Sequence, residues 1–249
     1  MKGLFWPVKA YGWLFGALLS FLPLSSFAAS ALELAQIHAN RAVGSLAMYR
    51  GEGQQKPDAA RLENDLAALA SAYQRQGERT PELEASYLEL VKQIRLGMTF
   101  GPEEEDMPWR YPEDLSKALR DFLMSAHQLA QSTPESVVPV QVEYLAMQYL
   151  YRSYIGSFET ARDAPDIYLG QDERLLVPAI DQVLASAAAD SGLNKLKVRW
   201  AYLRTALNDM NSQSNALESV SGRPFAPITV GRHSRSLTDQ WVSIKENQE

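Results

Sequence analysis

Apolar residues recur along this chain at alternating steps of three and four, the period that gathers side chains onto one stripe of an α-helix. The cleanest run is Leu193, Leu196, Trp200, Leu203, Leu207 and Met210, six positions without a miss. The same spacing joins Leu115, Leu119, Phe122, Ala126 and Leu129; Leu62, Leu66, Leu69 and Tyr73; and Val230, Ser234, Leu237, Trp241 and Ile244. Read between the prolines and glycines, the pattern predicts helices over 31–50, 58–76, 81–97, 113–131, 137–156, 172–188, 193–219 and 228–246. No stretch alternates with a period of two in strand-type side chains, so no sheet is expected. The fold class this implies is all-α, an antiparallel multi-helix bundle of about seven or eight helices.

Two of these segments look central. The first carries Leu32, Ala35, Ala39, Ala42, Leu46 and Tyr49 on its stripe with Gly44 and Ser45 beside it, and such small side chains let neighbouring helices approach closely. The segment from Tyr144 to Phe158 is apolar nearly all round, with Tyr144, Met147, Tyr151, Tyr154 and Phe158 on one face, and a helix of that kind is enclosed. Gly51, Gly77, Gly97 and Gly156 follow periodic runs, where left-handed cap residues are expected. Thr80-Pro81 and Thr133-Pro134 mark helix starts.

The first 28 residues depart from this pattern. Lys2 and Lys9 begin a basic start, Ala10 to Leu22 is apolar, and Ser26-Phe27-Ala28 places small residues at the −3 and −1 positions of a secretory cleavage site. The apolar run is shorter than the roughly 20 residues that cross a bilayer, so cleavage after Ala28 is expected, with retention as an anchor the alternative. No membrane span is expected after cleavage. Removing this segment takes away two lysines and no acid, which leaves 22 basic against 30 acidic side chains, a net of −8 compared with −6 for the whole chain. An acidic exported chain has no long-range attraction for nucleic acid, and a periplasmic protein is the natural reading. Residues 29–249 are expected to form a single all-helical domain, with a possible subdomain break in the proline-rich, acidic segment 99–114.

Composition then removes several chemistries. With no cysteine in the chain there is no disulfide, thiolate nucleophile or Cys-ligated metal. His38, His127 and His233 each lack a glutamate three residues earlier, the spacing from which helical bundles build metal sites. Motifs of the G-x-S-x-G, S-x-x-K and H-E-x-x-H types are absent, as are phosphate loops, so no catalytic residue, cofactor or metal is assigned. An enzyme is disfavoured rather than excluded, since a dispersed triad leaves no local signature.

Two candidate contact regions remain. Trp109, Arg110 and Tyr111 lie between Pro108 and Pro112, an aromatic-Arg-aromatic triplet of the residue types that anchor protein interfaces; the alternative is a loop folded back to cap the bundle. Arg223, Arg232 and Arg235 form a basic cluster in which Arg232 and Arg235 are three apart and share a helix face, so they can fork an anion; the alternative is a solvated face paired with nearby acids. Lys195, Lys197, Arg199 and Arg204 lie off the apolar stripe and read as surface. The general plan is similar to the ligand-sensing bundles of bacterial receptors, without the transmembrane helix that follows in those. The expected function is a non-catalytic binding or adaptor module for another envelope protein. A binder of small anionic solutes and an unrecognised hydrolase are the alternatives.

Overall fold

Helix α1 (Ala31–Gly51) starts where its sequence supplies a capping box: the Ser30 hydroxyl accepts the Glu33 N–H at 3.1 Å and the Glu33 carboxylate accepts the Ser30 N–H at 2.8 Å. From there α2 (Lys56–Arg75), α3 (Pro81–Gly97), α4 (Tyr111–Leu129), α5 (Pro134–Tyr154), α6 (Glu173–Ser186), α7 (Ser191–Asn208) and α8 (Pro227–Glu246) follow in order, with a short 3-10 turn at Glu104–Asp106. This is a computed structural model, and it describes residues 30–77, 79–130, 134–156, 168–186, 191–214 and 218–246. The chain is all-helical over these residues, with eight α-helices and no strand. The signal-like segment, Thr133 and Phe158 lie outside them.

Every stripe read from the sequence turns inward. Leu115, Leu119, Phe122 and Ala126 of α4 are fully buried, as are Leu62 and Leu69 of α2, and the α7 stripe from Leu193 to Met210 is buried throughout. α1 is buried continuously from Leu32 to Met48 except at Leu34 and His38, because α2 and α5 pack along it and α3, α4 and α8 touch it as well. α6 and α7 are added at the edge, against α5 and α8. The buried apolar side chains form one continuous cluster from Leu32 to Trp241.

Side-chain pairs fix the helix directions. Ser45 meets Asp65 and Met48 meets Arg61, so α1 and α2 are antiparallel; Arg41 meets Asp239 and Ser45 meets Arg235, so α1 and α8 are antiparallel too. α1 and α5 instead run parallel, since Glu33–Ser136, Arg41–Glu143 and Glu52–Tyr154 keep a nearly constant separation of 103, 102 and 102 residues.

Two details differ from the periodicity. α7 ends at Asn208 rather than continuing to 219: the Asp209 carboxylate takes the N–H and the hydroxyl of Ser221, and Asn211 adopts a left-handed φ of 58°, which turns the chain back. Met210 is still buried, just beyond the helix. Among the four glycines read as left-handed caps, only Gly156 has positive φ, and after α1 the left-handed residues are Gly53 and Gln54. Gly51 and Gly97 are the last residues of their helices and serve close approach instead. A Cβ on Gly51 would lie 1.9 Å from the Tyr154 ring, and one on Gly97 2.0 Å from the Tyr111 hydroxyl.

Trp200 closes the α6–α7 contact, 3% exposed, and its Nε1 donates to Asp181 Oδ1 at 2.7 Å. Trp200→Ala is expected to cost about 3–5 kcal/mol, the range for removing a large buried aromatic. Trp200→Phe is expected to cost roughly 1 kcal/mol, chiefly for the lost hydrogen bond. Denaturant unfolding of both variants checks the pair.

Candidate functional site

The interior of the bundle holds charge. Arg41 lies on α1, 8% exposed, between Ala39 and Ala42 of the small-residue stripe. Its Nε donates to Glu143 Oε1 of α5 at 2.8 Å and its Nη2 to Asp239 Oδ1 of α8 at 2.8 Å. One turn further along α1, Ser45 donates to Asp65 Oδ2 of α2 at 2.6 Å, and Arg235 of α8 forks the same carboxylate at 2.7 and 2.6 Å. Each guanidinium also donates to the other arginine's backbone carbonyl at 3.3 Å. Four helices are thereby joined by two arginines and three carboxylates. Burial opposes the Arg41 charge, but Glu143 and then Asp239 outweigh it and raise its pKa above the ordinary arginine value.

A cavity of about 180 Å³ opens beside this lattice, walled by Leu34, His38, Arg41, Thr238, Asp239 and Val242 among others. The His38 Nδ1 is buried there with no hydrogen-bond partner. Burial, and then the adjacent Arg41 charge, push the His38 pKa down to about 4, so the ring is neutral at pH 7. Among the described residues no three His, Asp or Glu side chains converge as a metal site would require.

The proline-bounded loop divides between core and solvent. Tyr111 is 2% exposed: its hydroxyl donates to the Gln93 carbonyl at 2.8 Å, its ring meets the Phe100 edge with centroids 4.9 Å apart, and Gly97 leaves room for it. Of the three expected contact residues, Tyr111 is a first-turn core residue of α4 with its side chain turned into the bundle. Trp109 is 83% exposed, and the Arg110 guanidinium lies over its ring, 5.4 Å from the centroid. The preceding turn is held by Arg50, which donates to the carbonyls of Gly97 and Gly101 at 3.1 Å each, and by Gln54, which donates to that of Phe100 at 3.0 Å. No protein-family model, curated protein or solved structure matches this chain. Arg110 also lines a groove of about 660 Å³ between α3 and α4, whose other charged walls are Glu82, Glu89, Asp114, Lys117 and Asp121.

The basic cluster is also divided. Arg235 is committed to Asp65, so it does not join Arg232 in an open fork; three-residue spacing leaves side chains about 60° apart around the helix axis, and here that difference carries one inward and one outward. Arg232 is exposed. Arg223 is exposed on the loop before α8, where its N–H and carbonyl are both bonded to the Ser219 hydroxyl. The residues that sequence reasoning passed over are Arg41, Asp65, Glu143 and Asp239. The available signal was an arginine placed inside a run of alanines, a position that demands a buried acid.

The His38 environment has a measurable consequence. Its folded-state pKa lies below the unfolded value near 6.5, so between about pH 6.5 and 4 the unfolded chain binds more protons and acid favours unfolding. The stability that rests on neutral His38 is complete above pH 6.5 and is lost as the pH falls toward 4, an effect on the order of 3 kcal/mol. His38→Gln is expected to flatten this part of the profile, leaving the loss due to carboxylates. Urea unfolding of both proteins from pH 7 to 4 measures the difference.

Proposed function

We propose that this chain is a non-catalytic binding or adaptor module for another protein of the cell envelope, with Trp109 as the anchor of its contact surface. The observation that carries the reading is the pairing of a nearly free indole with a fixed base. Trp109 is 83% exposed while its neighbour Tyr111 is buried and Arg50 ties the turn beneath it. An aromatic side chain presented on an ordered loop costs little further ordering on binding, and Trp and Arg are the residue types that dominate interface energetics. The groove beside it supplies polar and charged groups for the rim of such a contact. The alternative of an anionic solute held by Arg232 and Arg235 has less support, because Arg235 is engaged by Asp65.

The envelope location rests on the three-part pattern of residues 1–28. Cleavage after Ala28 keeps Ser30 and its capping box, so processing there leaves the start of α1 whole. Among the described residues no helix is long and apolar enough to cross a membrane.

Two measurements test this reading. The N-terminus of protein recovered from the periplasmic fraction is expected to be Ala29; Met1 would show a retained segment. A photo-crosslinking residue in place of exposed Glu113, in the first turn of α4 next to the Trp109 loop and with Trp109 intact, is expected to give a discrete adduct with one envelope protein in cells making the full chain. Trp109→Ala is expected to abolish both the adduct and co-purification of that protein with no change in melting temperature. Retained co-purification, or no adduct at 113, would reject the Trp109 surface.

A further inference from the structure

α7 carries Lys195, Lys197, Arg199 and Arg204 and no acidic residue over its 18 positions, in a chain of net charge −6. Two of these cations are engaged on either flank: Arg204 pairs with Asp181 of α6 at 2.8 Å, and Arg199 bonds to Ser236 of α8. Lys195 has no ion pair among the described residues and is exposed. On the same side of the helix, one turn apart, stand Val198 and Tyr202, which are 71% and 62% exposed. Successive positions on an α-helix are turned by about 100°, so Lys195, Arg199 and Tyr202 lie on the side of α7 toward α8, and Val198 stands beside Tyr202 on the outward face opposite Trp200. The Tyr202 ring meets the His233 ring with centroids 4.9 Å apart, and Arg232 precedes that histidine, exposed. The antiparallel register set by Arg199–Ser236 and Tyr202–His233 brings Asp239 of α8 near the level of Lys195; it is exposed, and its carboxylate is paired with Arg41.

We propose that this α7–α8 face is a docking site for an acidic protein segment that carries an apolar or aromatic side chain. The carboxylates go to Lys195 and Arg232, and the apolar side chain lies on Val198 and Tyr202. The occupant follows from charge. A strip of unpaired cations around an exposed Tyr–Val pair attracts a local run of negative charge and offers it a site to desolvate. An anionic bilayer is a poorer match, since its extended surface would meet the acidic remainder of the protein as well as the strip. The face shares no residue with the Trp109 surface, so either stands if the other fails.

The test uses the chain without residues 1–28, the form the signal pattern defines, and a labelled 12-residue peptide of repeating Asp-Glu-Phe, followed by fluorescence anisotropy. A peptide with Lys in place of every acid, and phosphatidylcholine vesicles with and without phosphatidylglycerol, are run alongside. Saturable binding of the acidic peptide alone is expected. It should weaken about tenfold or more in Lys195→Glu plus Arg232→Glu, and by about tenfold in Val198→Ser plus Tyr202→Ala, magnitudes usual for interface anchors. Raising the salt should weaken binding to the parent and to the second variant. Trp109→Ala should bind as the parent does. All of these substitutions lie at exposed positions, and unchanged melting confirms that the variants are folded. The proposal is overturned if the acidic peptide does not saturate, if either double variant binds it as the parent does, or if anionic vesicles bind through this face and the peptide does not.

Discussion

A helix packed against five others must give every charge it buries a polar partner. α1 is such a helix, and Arg41 is its buried cation. Desolvating a guanidinium costs several kcal/mol unless carboxylates and hydrogen bonds replace the lost water, so the position of Arg41 dictates those of Glu143 on α5 and Asp239 on α8. The Asp65–Arg235 pair repeats the requirement one turn along and brings in α2. Apolar stripes by themselves tolerate rotation and sliding of one helix on another. Two guanidinium groups that each donate to the other's backbone carbonyl do not, and they hold α1 and α8 in one register.

With the interior committed in this way, contact with other molecules falls to the periphery. α3 and α4 enclose an open groove at one margin, with Arg110 in its wall, and α7 lies at another with one buried stripe and a basic outer flank. The positions that permit close packing, Gly51 and Gly97, receive tyrosine side chains from other helices and carry the core out to the ends of α1 and α3. The Trp109 loop is ordered because Tyr111 and Arg50 extend the same core beneath it.

Helices such as α2, α4, α7 and α8 were legible because each buries one stripe, and a stripe is a one-dimensional property of the sequence. Leu193 to Leu207 needed no knowledge of α6 or α8 to be found. The end of α7 was not legible, since it depends on Asp209 reaching Ser221 across a turn. The division within Trp109-Arg110-Tyr111 was hidden for a related reason: neighbouring aromatics look alike in sequence, and only the notch at Gly97 decides which one is received. The charge lattice was the least visible feature. Arg41, Asp65, Glu143 and Asp239 are spread over four helices, and no spacing within one helix announces a partner 102 or 198 residues away.

The arrangement of α1 also sets an order of events. α1 is synthesised before the other seven helices and is completed by α8, synthesised after them, which sets Asp239 against Arg41 and Arg235 against Asp65. Until α8 arrives, α1 can pair with α2 and α5 but must keep its remaining face wetted, and contacts between sequence-distant segments form late because closing the intervening loop costs entropy. Assembly of the finished bundle therefore waits for α8. A chain broken off before Pro227 keeps Glu143 beside Arg41 but loses Asp239 and leaves Asp65 without Arg235, so α8 completes the charge lattice of the bundle.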